Sequence, residues 1–123
     1  MKKVVLTDKA PRPLGPYSQA IIVGDTVYVS GQVGVDASTG KRGETIEEQT
    51  ALAIRNIESI LQSVGSSLEK ISKVTVILKN MEDFPSMNKI YSQFFKNDPP
   101  ARTTLQASPP GGYLVEVEAI AML

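Results

Sequence analysis

Between Ile71 and Ala107 the chain runs through a β-branched stretch, a helical stripe and a second β-like stretch in immediate succession, and no other segment limits the fold as tightly. Ile71 to Lys79 is dense in β-branched residues. Asp83 then opens a helix whose Phe84, Met87, Tyr91, Phe94 and Phe95 recur at helical spacing, until Asn97-Asp98-Pro99-Pro100 stops it. Ala101 to Ala107 returns to a strand. A strand, a crossover helix and a strand in one sheet lie parallel with a right-handed connection. Upstream, Gln19 to Val23 and Thr26 to Ser30 flank Gly24-Asp25, a two-residue hairpin signal that demands an antiparallel pair. The sheet is therefore expected to be mixed.

The remaining elements follow from local signals. Val4 to Leu6 reads as a short edge strand, and the Pro-punctuated stretch from Pro11 to Pro16 as a loop. A second turn falls at Asp36 to Gly40. Thr45-Ile46-Glu47-Glu48 reads as a capping box, with the Thr45 hydroxyl accepting from the Glu48 amide and the Glu48 carboxylate reaching back to the amide of Thr45. The helix it opens carries Ile46, Ala53, Ile57, Ile60, Leu61 and Val64 on one face, and Gly65 suits its left-handed C-terminal cap. After Pro109-Pro110-Gly111-Gly112 a last strand runs from Leu114 to about Met122. The order is β-β-β-α-β-α-β-β, an α+β arrangement with both helices on one face of a mixed sheet.

The 123 residues, 41% of them hydrophobic, suit a single domain over 1–123. Thirteen basic side chains balance thirteen acidic ones, which argues against nucleic acid as the main partner. No apolar stretch approaches the ~18 residues of a membrane span, and Lys2-Lys3 precede only three apolar residues, far short of a signal peptide. Cytoplasmic location is the default expectation. The chain has no His and no Cys. A Ser-His-Asp triad, a thiol nucleophile and an imidazole or thiolate metal cage are excluded, so chemistry must rest on Arg, Tyr, carboxylates, hydroxyls and backbone groups. No metal site is expected.

In the last strand, alternation sets Val115, Val117, Ala119 and Ala121 on one side and Leu114, Glu116, Glu118, Ile120 and Met122 on the other. A face mixing two acids with large apolar groups either meets another subunit or belongs to an edge strand with scattered apolar residues. Arg102, Thr104 and Gln106 share one face of their strand, and Thr103, Leu105 and Ala107 the other. If the Arg102 face coincides with the Glu116 face, a guanidinium fork that suits a carboxylate lies near an acid that burial would lift toward neutrality. The bland alternative is an ordinary Arg–Glu ion pair.

Gly15-Pro16-Tyr17-Ser18-Gln19-Ala20, Ser30-Gly31-Gln32, Asp83-Phe84 with Asn88 and Phe94-Phe95, Pro100-Ala101-Arg102, and Val115-Glu116-Val117-Glu118-Ala119-Ile120-Ala121 stand in an order and spacing that closely resembles the reactive-intermediate deaminases, the RidA/YjgF family. The resemblance spans nearly the whole chain. It implies a chorismate-mutase-like fold, a homotrimer with ligand sites in clefts between subunits, and cofactor-free hydrolysis of enamines and imines such as 2-aminoacrylate to 2-keto acids and ammonia. Carried over by motif, Arg102 would clamp the substrate carboxylate and Glu116 would position or activate the attacking water. Tyr17, Ser30 and Gly31 would line the pocket, and the amide at Thr104 could assist Arg102. Glu118 is a weaker candidate. Tyr17 could instead be a packing residue whose hydroxyl is satisfied by backbone, and Ser30-Gly31-Gln32 a strand-ending bulge. The aromatic stripe of the second helix reads as core.

Two departures bear on substrate choice. The family often has Cys where this chain has Thr104, and the turn Ser108 to Tyr113 lacks the basic residue common there. The rival readings are a trimeric module that binds a keto acid or similar metabolite without turnover, and a ribonuclease or translation inhibitor, an activity also attributed to this family. The balanced charge and missing His argue against the second.

Overall fold

The computed structural model describes residues 1–123. Six strands form one sheet: β1 Lys2–Val5, β2 Ala20–Val23, β3 Thr26–Val33, β4 Ile71–Leu78, β5 Ala101–Gln106 and β6 Val115–Met122, in the spatial order β1-β2-β3-β6-β4-β5. Helices α1 (Ile46–Gln62) and α2 (Phe84–Phe94) pack on one face. β4 and β5 run parallel across the α2 crossover and every other pair is antiparallel, so the sheet is mixed as the two connections demand.

Thr45 caps α1, its Oγ1 accepting from the Glu48 amide at 3.1 Å. The reciprocal bond differs from expectation: Glu48 Oε2 accepts from the amide of Glu44 at 2.8 Å, one residue beyond Thr45. The box still meets an otherwise orphaned donor ahead of the helix. Gly65 takes the left-handed conformation at φ 80°, and the Ser66 amide bonds back to the Leu61 carbonyl. At the β2–β3 hairpin Gly24 has φ 58°, the sign its mirror-image turn requires at the first central position. β1 begins earlier than expected and excludes Leu6.

The core lies between the helices and one face of the sheet. Ile54, Ile57, Ile60 and Leu61 of α1 and Met87 of α2 are closed off from water, as are Val27, Val74, Val76, Leu78, Val115 and Val117 beneath them. Alternation in β6 holds: Val115, Val117, Ala119 and Ala121 are buried, and Glu116, Glu118, Ile120 and Met122 face away from the helices. Leu114 is the exception. It precedes the strand and packs against the core rather than beside Glu116. No helix covers the outer face of the sheet, where Val4, Val23, Tyr28, Leu105 and Met122 are each between 40 and 59% exposed.

β3 runs on to Val33 instead of ending at Ser30. Val29 pairs with Ala119 and Gln32 with Val117, so two residues, Ser30 and Gly31, oppose Glu118 alone. That bulge resets the parity of the strand. Val27 and Val29 face the core before it and Gln32 after it, which leaves Gly31 on the outer face.

Candidate active site

The sheet register decides which of the expected site residues meet. Val74 pairs with Arg102 and Val76 with Thr104, and both valines are fully buried on the helix side. Arg102 accordingly points under α2, with Nη1 4.0 Å from Met87 Sδ and Cζ 4.7 Å from the Tyr91 ring centroid. Ile77 pairs with Glu116 and Thr75 with Glu118, on the opposite face. Arg102 and Glu116 of one chain therefore do not converge. Glu116 lies across β4 from Leu105, two strand spacings away, and Arg102 is three residues farther along β5. Their Cα atoms are about 14 Å apart by strand geometry, with the sheet between the side chains. The expected site residues thus fall into two groups.

The first is the free edge of β5. The Ala107 amide bonds to the Leu78 carbonyl, which by alternation turns the amides of Thr103 and Leu105 toward β4 and those of Arg102 and Thr104 outward. The Thr104 amide is thus an unpaired donor on the free edge, two residues along the strand from Arg102. The Thr104 hydroxyl is buried without a partner. Arg102 is partly buried and has no acid within ion-pair distance, since the only ion pair joins Arg12 to Asp8 on the surface. A partly buried cation without a counter-charge favours an incoming anion, and the guanidinium fork matches a carboxylate.

The second group lies on the outer face. A Cβ on Gly31 would stand 2.8 Å from Glu116 Cδ and closer still to Oε2, so the absent side chain is what lets the carboxylate rest on the bulge. Ser30 ties that bulge to the loop before β2, its Oγ donating to the Ser18 carbonyl at 2.6 Å. The neighbouring Tyr17 is 52% exposed while its hydroxyl accepts from the Leu14 amide at 3.3 Å. Tyr17 is therefore a loop anchor that still presents its ring. Burial pushes the Glu116 carboxyl above its ordinary range, and the charge of Glu118 adds to the shift. A carboxyl shifted in that direction holds a proton more readily than an exposed one. No group of three or more acidic side chains comes together in the manner of a metal site.

Gln49 escapes a sequence reading because a glutamine in the first turns of a helix reads as surface. It is 3% exposed. Its Nε2 donates to the Gly43 carbonyl at 2.9 Å and its Oε1 accepts from the Leu114 amide at 2.8 Å, clipping the Asp36–Gly40 hairpin and α1 to the start of β6. A Cβ on Gly34 would meet the Gln49 backbone, and the glycines bracketing that hairpin are the signal that a helix approaches closely there. Arg42 clips the same region, donating to the Gly111 carbonyl at 2.7 Å with its guanidinium 3.8 Å from the Tyr113 ring centroid.

Comparison with known proteins agrees over the whole chain. A RutC family protein of Pyrococcus abyssi is 48% identical over 123 residues, covering 98% of this chain and 96% of the relative. The human 2-iminobutanoate/2-iminopropanoate deaminase is 40% identical over 124 residues, covering 99% of this chain and 90% of its own. TdcF of E. coli, solved with bound serine, superposes with a TM-score of 0.94 at 34% identity, covering 98% of each chain. Residues 7–123 match the family model described as endoribonuclease L-PSP. This chain accordingly belongs to the endoribonuclease L-PSP family, the RidA/YjgF family that its motifs resemble.

Proposed function

We propose that this chain hydrolyses small 2-imino acids and their enamine tautomers, such as 2-aminoacrylate, to 2-keto acids and ammonia, in sites shared between copies of a homotrimer. The observation that carries the reading is Arg102, a partly buried cation with no acid partner, on an edge strand whose Thr104 amide faces outward. The deaminase name of the human relative and the serine bound to TdcF point to the same small, carboxylate-bearing ligand class. The separation of the two half-sites supports assembly. One small substrate cannot touch Arg102 and Glu116 of the same chain, and the uncovered apolar face offers the surface on which a second copy brings them together.

In such a cleft Arg102 and the Thr104 amide hold the substrate carboxylate, and Tyr17, Ser30 and Gly31 of the adjoining copy wall the pocket. The enamine takes a proton at its terminal carbon to become the imine. Water adds to the imine carbon while Glu116 removes a proton from it, forming a C–O bond. Glu116 returns that proton to nitrogen, the C–N bond breaks, and ammonia leaves as the new hydroxyl gives up its proton to solvent, replacing the one the enamine carbon took, and the keto group forms. No cofactor takes part. Because an imine carbon is already electrophilic, orientation and one acid–base group, worth about 10²–10⁴-fold, suffice. We assign the protein to the cytoplasm on the same reading, where pyridoxal-phosphate enzymes release such imines; no helix is long and apolar enough to cross a membrane. The ribonuclease reading has less behind it, given the balanced charge and the lack of His.

The test is keto-acid release when the protein is added to a threonine dehydratase producing 2-aminoacrylate from serine, with semicarbazide trapping free imine. Wild type should divert imine from the trap and Arg102→Ala should not. A folded wild type that diverts none sinks the deaminase reading for this substrate and leaves a binding module.

A further inference from the structure

An acid that steers an arginine pairs with its N–H groups, often bidentately, and so competes with a carboxylate ligand for them. Arg102 is steered differently. Phe84, Met87 and Tyr91 recur at three- and four-residue spacing on the face of α2 turned to the sheet. Around the guanidinium they place one ring centroid at 4.7 Å, a second at 5.6 Å and a thioether sulfur at 4.0 Å. Met87 is fully buried and Tyr91 nearly so, which fixes the cradle in the core. The Tyr91 hydroxyl has no hydrogen-bond partner, and burial raises its pKa against the pull of Arg102, so it stays a neutral phenol.

We propose that Phe84, Met87 and Tyr91 are positioning residues: the two rings hold the Arg102 guanidinium by its face, Met87 Sδ accepts weakly from Nη1, and the remaining N–H groups are left for the substrate carboxylate. This rests on the assignment of Arg102 as the clamp. Aromatic faces attract the cation through their quadrupole without accepting its N–H groups as a carboxylate would, and the attraction strengthens out of water. The stack also holds a long side chain in place before the ligand arrives, sparing the ordering cost of binding. An aromatic stripe that reads as plain core in the sequence thus has a second use.

The experiment is titration calorimetry with 2-ketobutyrate on wild type, Tyr91→Leu, Tyr91→Phe and Phe84→Leu, alongside imine hydrolysis. Losing one stacked face should weaken binding about tenfold in Tyr91→Leu and about threefold in Phe84→Leu, whose ring is farther away. KM should rise by the same factors with kcat changed less than about twofold, because positioning a carboxylate clamp acts on binding. Tyr91→Phe keeps the ring and should restore most of the lost affinity. If Tyr91→Leu melts as a folded protein and binds as tightly as wild type, the cradle is overturned while the clamp stands. Should Tyr91→Leu not fold, Phe84→Leu with unchanged affinity overturns it equally. If wild type neither binds the keto acid nor hydrolyses imine, Arg102 is no clamp and both readings fall.

Discussion

Gly31→Ala separates site geometry from stability more sharply than any other single change. The new methyl group would sit 2.8 Å from Glu116 Cδ and 3.0 Å from Cγ, with the carboxylate oxygen nearer still. Ordinary carbon contacts begin near 3.5 Å, so the carboxylate must retreat by about 1 Å. The atoms that move are the end of a flexible side chain, and Gly31 does not hold the positive φ that an alanine resists. Removing the freedom of a glycine in the unfolded chain contributes about 0.4–1 kcal/mol in favour of folding. The melting midpoint should therefore stay within about 3 °C of wild type. A displacement of 1 Å in a reacting group costs on the order of 10²-fold in rate, about 2.7 kcal/mol of barrier. The assay is initial-rate keto-acid formation from enzymatically generated imine beside a thermal melt. Full activity in Gly31→Ala, or a melting midpoint lowered by ten degrees or more, would refute the argument that Gly31 exists to seat Glu116.

Arg102→Lys keeps the charge but loses the planar fork and its stacking on α2, so kcat/KM should fall by about 10–100-fold in the same assay. The rate should rise with pH as Glu116 ionises, above the ordinary carboxylate range because burial and Glu118 raise its pKa. Glu118→Gln removes the like charge and should move that limb to lower pH, whereas an unmoved limb in a pH–rate profile would exclude Glu116 as the titrating group. Gln49→Leu strands the Leu114 amide and the Gly43 carbonyl, and should cost about 2–4 kcal/mol in denaturant unfolding.

Elements written in local chemistry were legible in the sequence. The Thr45 cap, the stripe of α1 and the turn at Gly65 depend on neighbours within a few residues, and the faces of β6 follow from its own alternation. The relation between Arg102 and Glu116 was not, because it passes through the register of β4, and one residue of slip there reverses the face. The bulge at Ser30–Gly31 adds such a shift within β3. Gly31 was visible as a motif glycine, yet its use under Glu116 needs the β3–β6 pairing. Gln49 lay hidden because a polar helical residue acquires meaning only from the two backbone groups it bridges. Arg102 stood out as the candidate clamp, but the cradle beneath it joins residues on two elements that only the crossover brings together.

The most direct test of a site shared between copies is complementation. Arg102→Ala and Glu116→Gln are each expected to be inactive as homotrimers. Co-expressed in equal amounts and purified together, homotrimers included, they should regain about one quarter of wild-type activity, since half of the Arg102 half-sites and half of the Glu116 half-sites are intact and each interface draws one of each. Recovery near one quarter supports a cleft built from two chains. Mixed trimers as inactive as either parent would contradict it.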